Sequence, residues 1–377
     1  MNHLMNFIRD NLNWRLLLTQ PPYNLIIKED SDFPNVYLFK YNQYDSDMSN
    51  PICKEARGII LEIIDTSVKI LCHSFDKFFN YSEENGKIDL QSFNWGNYSF
   101  QEKKDGSLMR LWYYKGKWNI SSSGTIDAFK AEIQIPSCPY NSFGDMFKQI
   151  FDSYNEDLNN LNKTFTYSFE MTSPNNKIVV NYEKDELTLI GIRDNIKNKE
   201  LIPLDSNPFK NIKTPNTYQF SSIDEALSSI NEIPNFEGLV LCDNNFTRVK
   251  IKTTEYLSLA KVMDLTSSDR GILKLILEDK LDDLPELPNI VKERIQRIKD
   301  YIRSEVEAIF ILYQQIDFTQ DRKTLALQLK GNPYSSFVFK RLDNSSYDFV
   351  EDYFRVENLE KIYKSYKEKM SLFKEGK

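Results

Sequence analysis

Lys103 stands in the run Glu102-Lys103-Lys104-Asp105-Gly106-Ser107-Leu108. Tyr98–Phe100 before it and Met109–Tyr114 after it read as strands. The lysine therefore falls at a strand end, beside a glycine that lets the backbone come close to a ligand. An amine held there is a nucleophile once its pKa is lowered, and Lys104, Lys250 and Lys252 are the cations available to lower it. A solvated charged turn is the other reading. Thr247–Lys252 reads as a strand whose two-residue period puts Lys250 and Lys252 on one face. An ordinary strand would give them to solvent; pointed into a cleft, they suit an anion. Glu170, near the end of a strand over Thr164–Met171, is a carboxylate that could take a ribose hydroxyl or a metal. Glu237 stands at the entry of a strand over Asn235–Leu241.

Further cations accompany aromatic or glycine residues. Arg57-Gly58 opens a strand through Ile63, where Arg57 is either a surface cation or a ligand. Lys77 lies among Phe75, Phe78 and Phe79. A lysine so placed could hold a phosphate while a ring packs on a base. A buried core edge fits the same residues, and Phe79 fits both readings.

These side chains need a scaffold. The chain has 377 residues, 41% hydrophobic and 13% aromatic, enough for two domains or one large one. Two histidines and four cysteines without metal spacing argue against a zinc site or a Ser-His-Asp triad. The cysteines fit a reducing, cytoplasmic setting. Met1–Arg15 lacks a signal-peptide core, and no apolar run is long enough to span a membrane. A net charge of -7 speaks against a non-specific polyanion binder but allows a local basic cleft.

A helix is expected over Met5–Leu18, helices with a loop at Pro136–Asn141 over 127–160, strands over Lys177–Tyr182 and Leu187–Arg193, and loop or peripheral structure over 195–217. Beyond Tyr256 strand patterns give way to helical periods. Val291, Ile295, Ile298, Ile302, Ile309 and Tyr313 mark one long helix, flanked by Lys292, Arg294, Arg297, Lys299 and Arg303. Those cations suit either a solvated face or RNA. Asp321–Leu329 and Asn358–Phe373 read as further helices.

Taken in order, Arg57-Gly58, Lys77-Phe78-Phe79-Asn80, Lys103-x-Asp-Gly, Phe169-Glu170, Glu237-Gly238 and Lys250-x-Lys252 resemble the covalent nucleotidyltransferases. The likeness is strongest to the type 1 RNA ligases of T-even phages, the tRNA-repair ligases. Leu281-Asp282-Asp283-Leu284 and Asp321-Arg322-Lys323-Thr324 extend it. The resemblance implies an α+β fold: a nucleotidyltransferase domain of antiparallel sheets with flanking helices over 1–258, then an all-α C-terminal domain over 259–377 that could select the RNA.

The resemblance also implies a reaction: ATP-dependent joining of RNA 3′-hydroxyl and 5′-phosphate ends through lysyl-AMP and RNA-adenylate, with Mg2+. Lys103 would be the nucleophile. Lys250 and Lys252 would hold the α-phosphate, and Arg57 and Lys77 the triphosphate tail. Glu170 and Glu237 would bind the ribose or a hydrated magnesium, with Asp282 a further metal candidate. Phe79 would pack in the nucleotide pocket, and Gly106 and Gly238 would permit close backbone approach. Implied partners are RNA, including cleaved tRNA, and an end-healing kinase or phosphatase; the setting would be host-cell cytoplasm if the chain is phage-encoded. The alternatives are a DNA ligase or capping enzyme and a non-catalytic RNA-binding derivative. Two positions depart from the family: Ser123 replaces a basic residue, and Lys104 replaces an acid after the nucleophile.

Overall fold

The computed structural model describes the chain except residues 1, 44, 134–137, 282–286, 288, 345–346, 349–351, 354 and 376–377. It divides into two compact units, Met1–Leu257 and Ser258–Lys377. In the first, β1 (Ile26–Glu29), β2 (Val36–Lys40), β3 (Arg57–Ile64) and β4 (Ser67–Cys72) form an antiparallel meander. The remaining strands are β5 (Phe79–Asn80), β6 (Tyr98–Lys103), β7 (Ser107–Tyr114), β8 (Lys117–Ser122), β9 (Phe165–Thr172), β10 (Glu186–Asp194), β11 (Lys199–Leu201), β12 (Thr217–Tyr218), β13 (Gly238–Asp243) and β14 (Arg248–Lys252). They make two sheets, ordered β11-β10-β9-β7-β8 and β12-β6-β13-β14-β5. Pairing is antiparallel except between β14 and β5.

The chain passes from one of these sheets to the other between Lys103, the last residue of β6, and Ser107, the first of β7. In β14 the alternation is complete: Val249 and Ile251 are fully buried with Phe100, Leu239 and Leu241, while Lys250 and Lys252 take the opposite face. Burying such a side chain contributes about 1.5–3 kcal/mol. A slip of one residue would exchange the two faces, so the core fixes the register that places the lysines.

Three sequence expectations need correction. Residues Lys177–Tyr182 form bends, not a strand. The successive amides of Val179 and Val180 both donate to Asp105 Oδ2, at 2.7 and 2.8 Å; in a strand, neighbouring amides point opposite ways. Among the described residues of 127–160 the α-helix is only Phe143–Ser153, started by a Ser142 cap on Asp145. Phe129 lies in a short 3-10 turn and is exposed, and residues 136–137 of the expected loop lie outside the described residues. Met5–Leu18 is two helices, His3–Asp10 and Trp14–Leu18. Residues 195–217, expected as loop or peripheral structure, contain β11 and the helical turn Pro203–Ser206.

The second unit is helical among the described residues. Asp269–Leu277, Asn289–Gln315, Arg322–Gln328, Ser335–Asp343 and Leu359–Glu375 are its main helices. Val291, Ile298, Ile302 and Ile309 are buried with Ile272, Phe337 and Ile362, as the apolar period predicts. Lys292, Arg297, Lys299 and Arg303 are exposed, whereas Arg294 is tied to Asp269 at 2.8 Å. No described helix is long and apolar enough to cross a membrane.

Candidate active site

A cavity of about 290 Å³ lies over the face of the β6-β13-β14 sheet. The ladder register lays that face out in rows. Lys103, Gly238 and Lys252 pair across the first row; Gln101, Val240 and Lys250 across the second; Ser99, Cys242 and Arg248 across the third. Arg57, Phe78, Gly106, Glu170 and Glu237 also line the cavity, with Leu108, Ile178 and Ile190 as apolar wall.

The centre is an ion cluster. Glu237, 3% exposed, receives Lys103 Nζ at 2.9 Å on one oxygen and Lys252 Nζ at 3.0 Å on the other. Burial pulls the Lys103 amine down, yet Glu237, Glu170 and Asp105 outweigh it and hold the amine above the ordinary lysine range. This corrects the expectation that Lys104, Lys250 and Lys252 lower it. Lys104 is paired with Glu102 at 2.6 Å, and Lys252 is neutralised by Glu237. The depressed lysine is Lys250. Burial, and then the charges of Lys77, Arg57, Lys103 and Lys252, push it down to about 6. Glu170 accepts the Gly106 amide at 3.1 Å, and burial foremost, with Glu237 adding, pushes its carboxyl up to about 7.

Other expected residues lie at the edges. Arg57 spreads over Phe78 at 4.8 Å and Phe75 at 5.1 Å. Lys77 points at Tyr41, 3.1 Å from its hydroxyl, and lines a neighbouring cavity instead. Phe79 is 4% exposed, lies between the Lys54 and Lys77 ammonium groups and does not line the nucleotide-sized cavity. Phe78 does, because consecutive side chains of an extended segment point opposite ways. Gly106 and Gly238 each leave no room for a side chain against neighbouring backbone. A Cβ on Gly106 would meet the Met171 carbonyl at 2.3 Å, and one on Gly238, at φ +146°, the Ile251 carbonyl at 2.0 Å. Asp282 lies outside the described residues. At the Ser123 departure, Lys28 donates to the next carbonyl, that of Gly124, at 2.7 Å.

Sequence reasoning missed three residues. Asp105 is buried and accepts from Tyr256 Oη at 2.8 Å as well as from Val179 and Val180. Tyr256 in turn lies under Lys252 Nζ, 4.5 Å from the ring centre. Nothing periodic announces Tyr256. Arg248, by contrast, shares the two-residue period of Lys250 and Lys252.

Among the described residues no three His, Cys, Asp or Glu side chains converge on one point. Glu170 and Glu237 are two carboxylates in one cavity, and the charge of Glu237 adds to the burial that raises Glu170. Two acids in one cavity with lysines are a donor set that suits a divalent ion completed by water and anionic oxygens.

A family model described as RNA ligase matches residues 55–256. The chain is similar to a protein named RNA ligase from Rhodothermus phage RM378, 25% identical, over 82% of this chain and 85% of that one. It is also similar to a putative bifunctional polynucleotide kinase/RNA ligase of Autographa californica nuclear polyhedrosis virus, 24% identical over 87% of this chain; the chain spans 48% of that protein's length. Among solved structures, an archaeal ATP-dependent RNA ligase overlaps 79% of this chain and 82% of its own at TM-score 0.46 and 14% identity.

Proposed function

The chain belongs to the RNA ligase family, and on that premise we propose that it is an ATP-dependent RNA ligase with Lys103 as its nucleophile. The observation that carries the assignment is the position of the Lys103 amine. It lies in one cavity with Glu170, Glu237, Lys250, Lys252 and Arg57. In the first step Lys103 Nζ bonds to the α-phosphorus of ATP and pyrophosphate leaves. An RNA 5′-phosphate then takes the AMP, freeing Lys103. A 3′-hydroxyl finally attacks that 5′-phosphorus and AMP departs. Each step is an in-line displacement that needs cations around the phosphate oxygens.

The chain's own residues divide this work. Lys103 Nζ must lose its proton before attack, and Glu237 Oε2, 2.9 Å away, is placed to take it. Lys252 and Lys250 face the α-phosphate, and Arg57 the tail. Leu108, Ile190 and Val240 offer apolar surface to a flat base. Glu170 and Glu237 would hold a magnesium ion, which supplies charge neutralisation at the phosphates when bound. The substrate is RNA with 3′-hydroxyl and 5′-phosphate ends, cleaved tRNA being one source, and a separate end-healing kinase or phosphatase would prepare such ends. The baculovirus relative, whose name couples kinase and ligase, supports that pairing. With a phage and a baculovirus among the relatives, we place the enzyme in host-cell cytoplasm.

The test is incubation with radiolabelled ATP and magnesium. The wild type takes an acid-labile AMP label, Lys103→Ala takes none, and the wild type circularises a 5′-phosphorylated oligoribonucleotide. Absence of the wild-type adduct, or its persistence in Lys103→Ala, overturns the assignment.

A further inference from the structure

A second cavity, of about 580 Å³, adjoins the first, and the two share Phe78 and Arg248 as a common wall. Five cationic side chains line it, Lys54, Lys77, Arg193, Lys199 and Arg248, against the three carboxylates of Asp76, Asp89 and Glu200. Glu200 is spent on Arg193, at 2.8 Å, and on Arg248. Lys54 is only loosely paired with Asp89, at 3.7 Å. Lys77 meets a tyrosine hydroxyl, and Lys199 is exposed with no acidic partner among the described residues. This is a polar, net-positive chamber twice the volume of the one that a mononucleotide would fill.

Reaction geometry says what enters it. Displacement at phosphorus is in line. The Lys103 nitrogen attacks opposite the departing pyrophosphate. In the next step a 5′-phosphate oxygen forms the new P–O bond, the Lys103 P–N bond breaks, and the leaving amine takes a proton from water. That oxygen must enter opposite the nitrogen, through the space pyrophosphate has vacated. Arg57, assigned above to the tail, lies over Phe78 at 4.8 Å, and Phe78 is part of the wall to the second cavity.

Resting on the ligase reading above, we propose that the second cavity seats the first phosphodiesters of the 5′-phosphorylated RNA strand, with Lys54 and Lys199 as backbone contacts. Such contacts position a strand without reading its sequence. Free pyrophosphate shares the chemistry and is the competing occupant.

The experiment uses the full chain, adenylylated in advance, with Lys199→Glu and Lys54→Ala as variants. AMP transfer to a 5′-phosphorylated oligoribonucleotide is measured against oligonucleotide and salt concentration, beside pyrophosphorolysis of the same adduct. Lys199→Glu raises the half-saturating oligonucleotide concentration about tenfold and lowers the salt slope by about one. Lys54→Ala moves both the same way. The ratio of RNA transfer to pyrophosphorolysis falls in each variant. Equal losses in both reactions would make the cavity a pyrophosphate seat and overturn the proposal. A wild type that seals RNA while both variants seal it equally well overturns the seat alone; a wild type that takes no AMP overturns the ligase reading and the seat with it.

Discussion

Glu237 holds Lys103 as an ammonium, Oε2 to Nζ at 2.9 Å, with the same carboxylate bound to Lys252 through its other oxygen. The unliganded site thus stores its nucleophile in the unreactive, protonated form. Replacing Glu237 changes the charge that favours that form.

Adenylylation is therefore expected to accelerate as pH rises through the neutral and alkaline range, since only the neutral amine attacks. In Glu237→Gln the amine loses its nearest anion, its pKa falls, and the acid limb moves to lower pH. The plateau drops by about 100-fold or more, because the group placed to take the amine's proton is gone. Single-turnover AMP labelling across pH checks both effects. A Glu237→Gln limb at the wild-type position would contradict the ion-pair account.

Lys250 behaves oppositely. With its amine near 6 in the unliganded protein, it is mostly neutral at pH 7.5. A phosphate placed beside it favours the charged form, so nucleotide binding takes up a proton, and affinity increases as pH falls toward 6. Calorimetry of a non-hydrolysable ATP analogue in buffers of different ionisation enthalpy measures that uptake. Lys250→Met should abolish it and weaken binding by about 10–100-fold, the worth of one charge-assisted contact.

Tyr256→Phe removes the donor at 2.8 Å from buried Asp105. Leaving that oxygen unpaired costs about 1–3 kcal/mol, seen as a lower thermal midpoint. Asp105→Asn costs more, because the Val179 and Val180 amides share the same carboxylate. Equal midpoints for wild type and Tyr256→Phe would show that the tie carries no load.

Phe78 and Phe79 should separate cleanly. Phe78 lines the cleft beneath Arg57 and beside Lys250, at 4.8 and 4.9 Å, so Phe78→Ala weakens nucleotide binding with little loss of stability. Phe79→Ala empties a buried site and costs about 3–5 kcal/mol. Binding and melting measured on both variants test the assignment, which inverts the expectation that Phe79 meets the base.

The site was legible in the sequence where a period carried it. The two-step alternation of Lys250 and Lys252, and the strand-end position of Lys103, follow from side-chain geometry alone. The sign of the Lys103 shift was not legible, because it depends on Glu237 and Glu170 arriving from distant positions in the chain. Lys177–Tyr182 misled for a related reason: its apolar β-branched residues look like a strand, but a remote carboxylate, Asp105, claims its amides. The long helix of the second unit was readable from its apolar repeat, whereas the role of its exposed cations was not.

The third sheet carries chemistry on one side and the protein's dry interior on the other, interleaved along a single ribbon. Deleting one residue within β14 would send the ammonium groups into the oil and the valine and isoleucine into the cleft. Such a lesion could not yield a stable but inactive protein; catalysis and folding would fail together. A tolerant route to inactivity must instead spare the spacing and alter only what hangs from it.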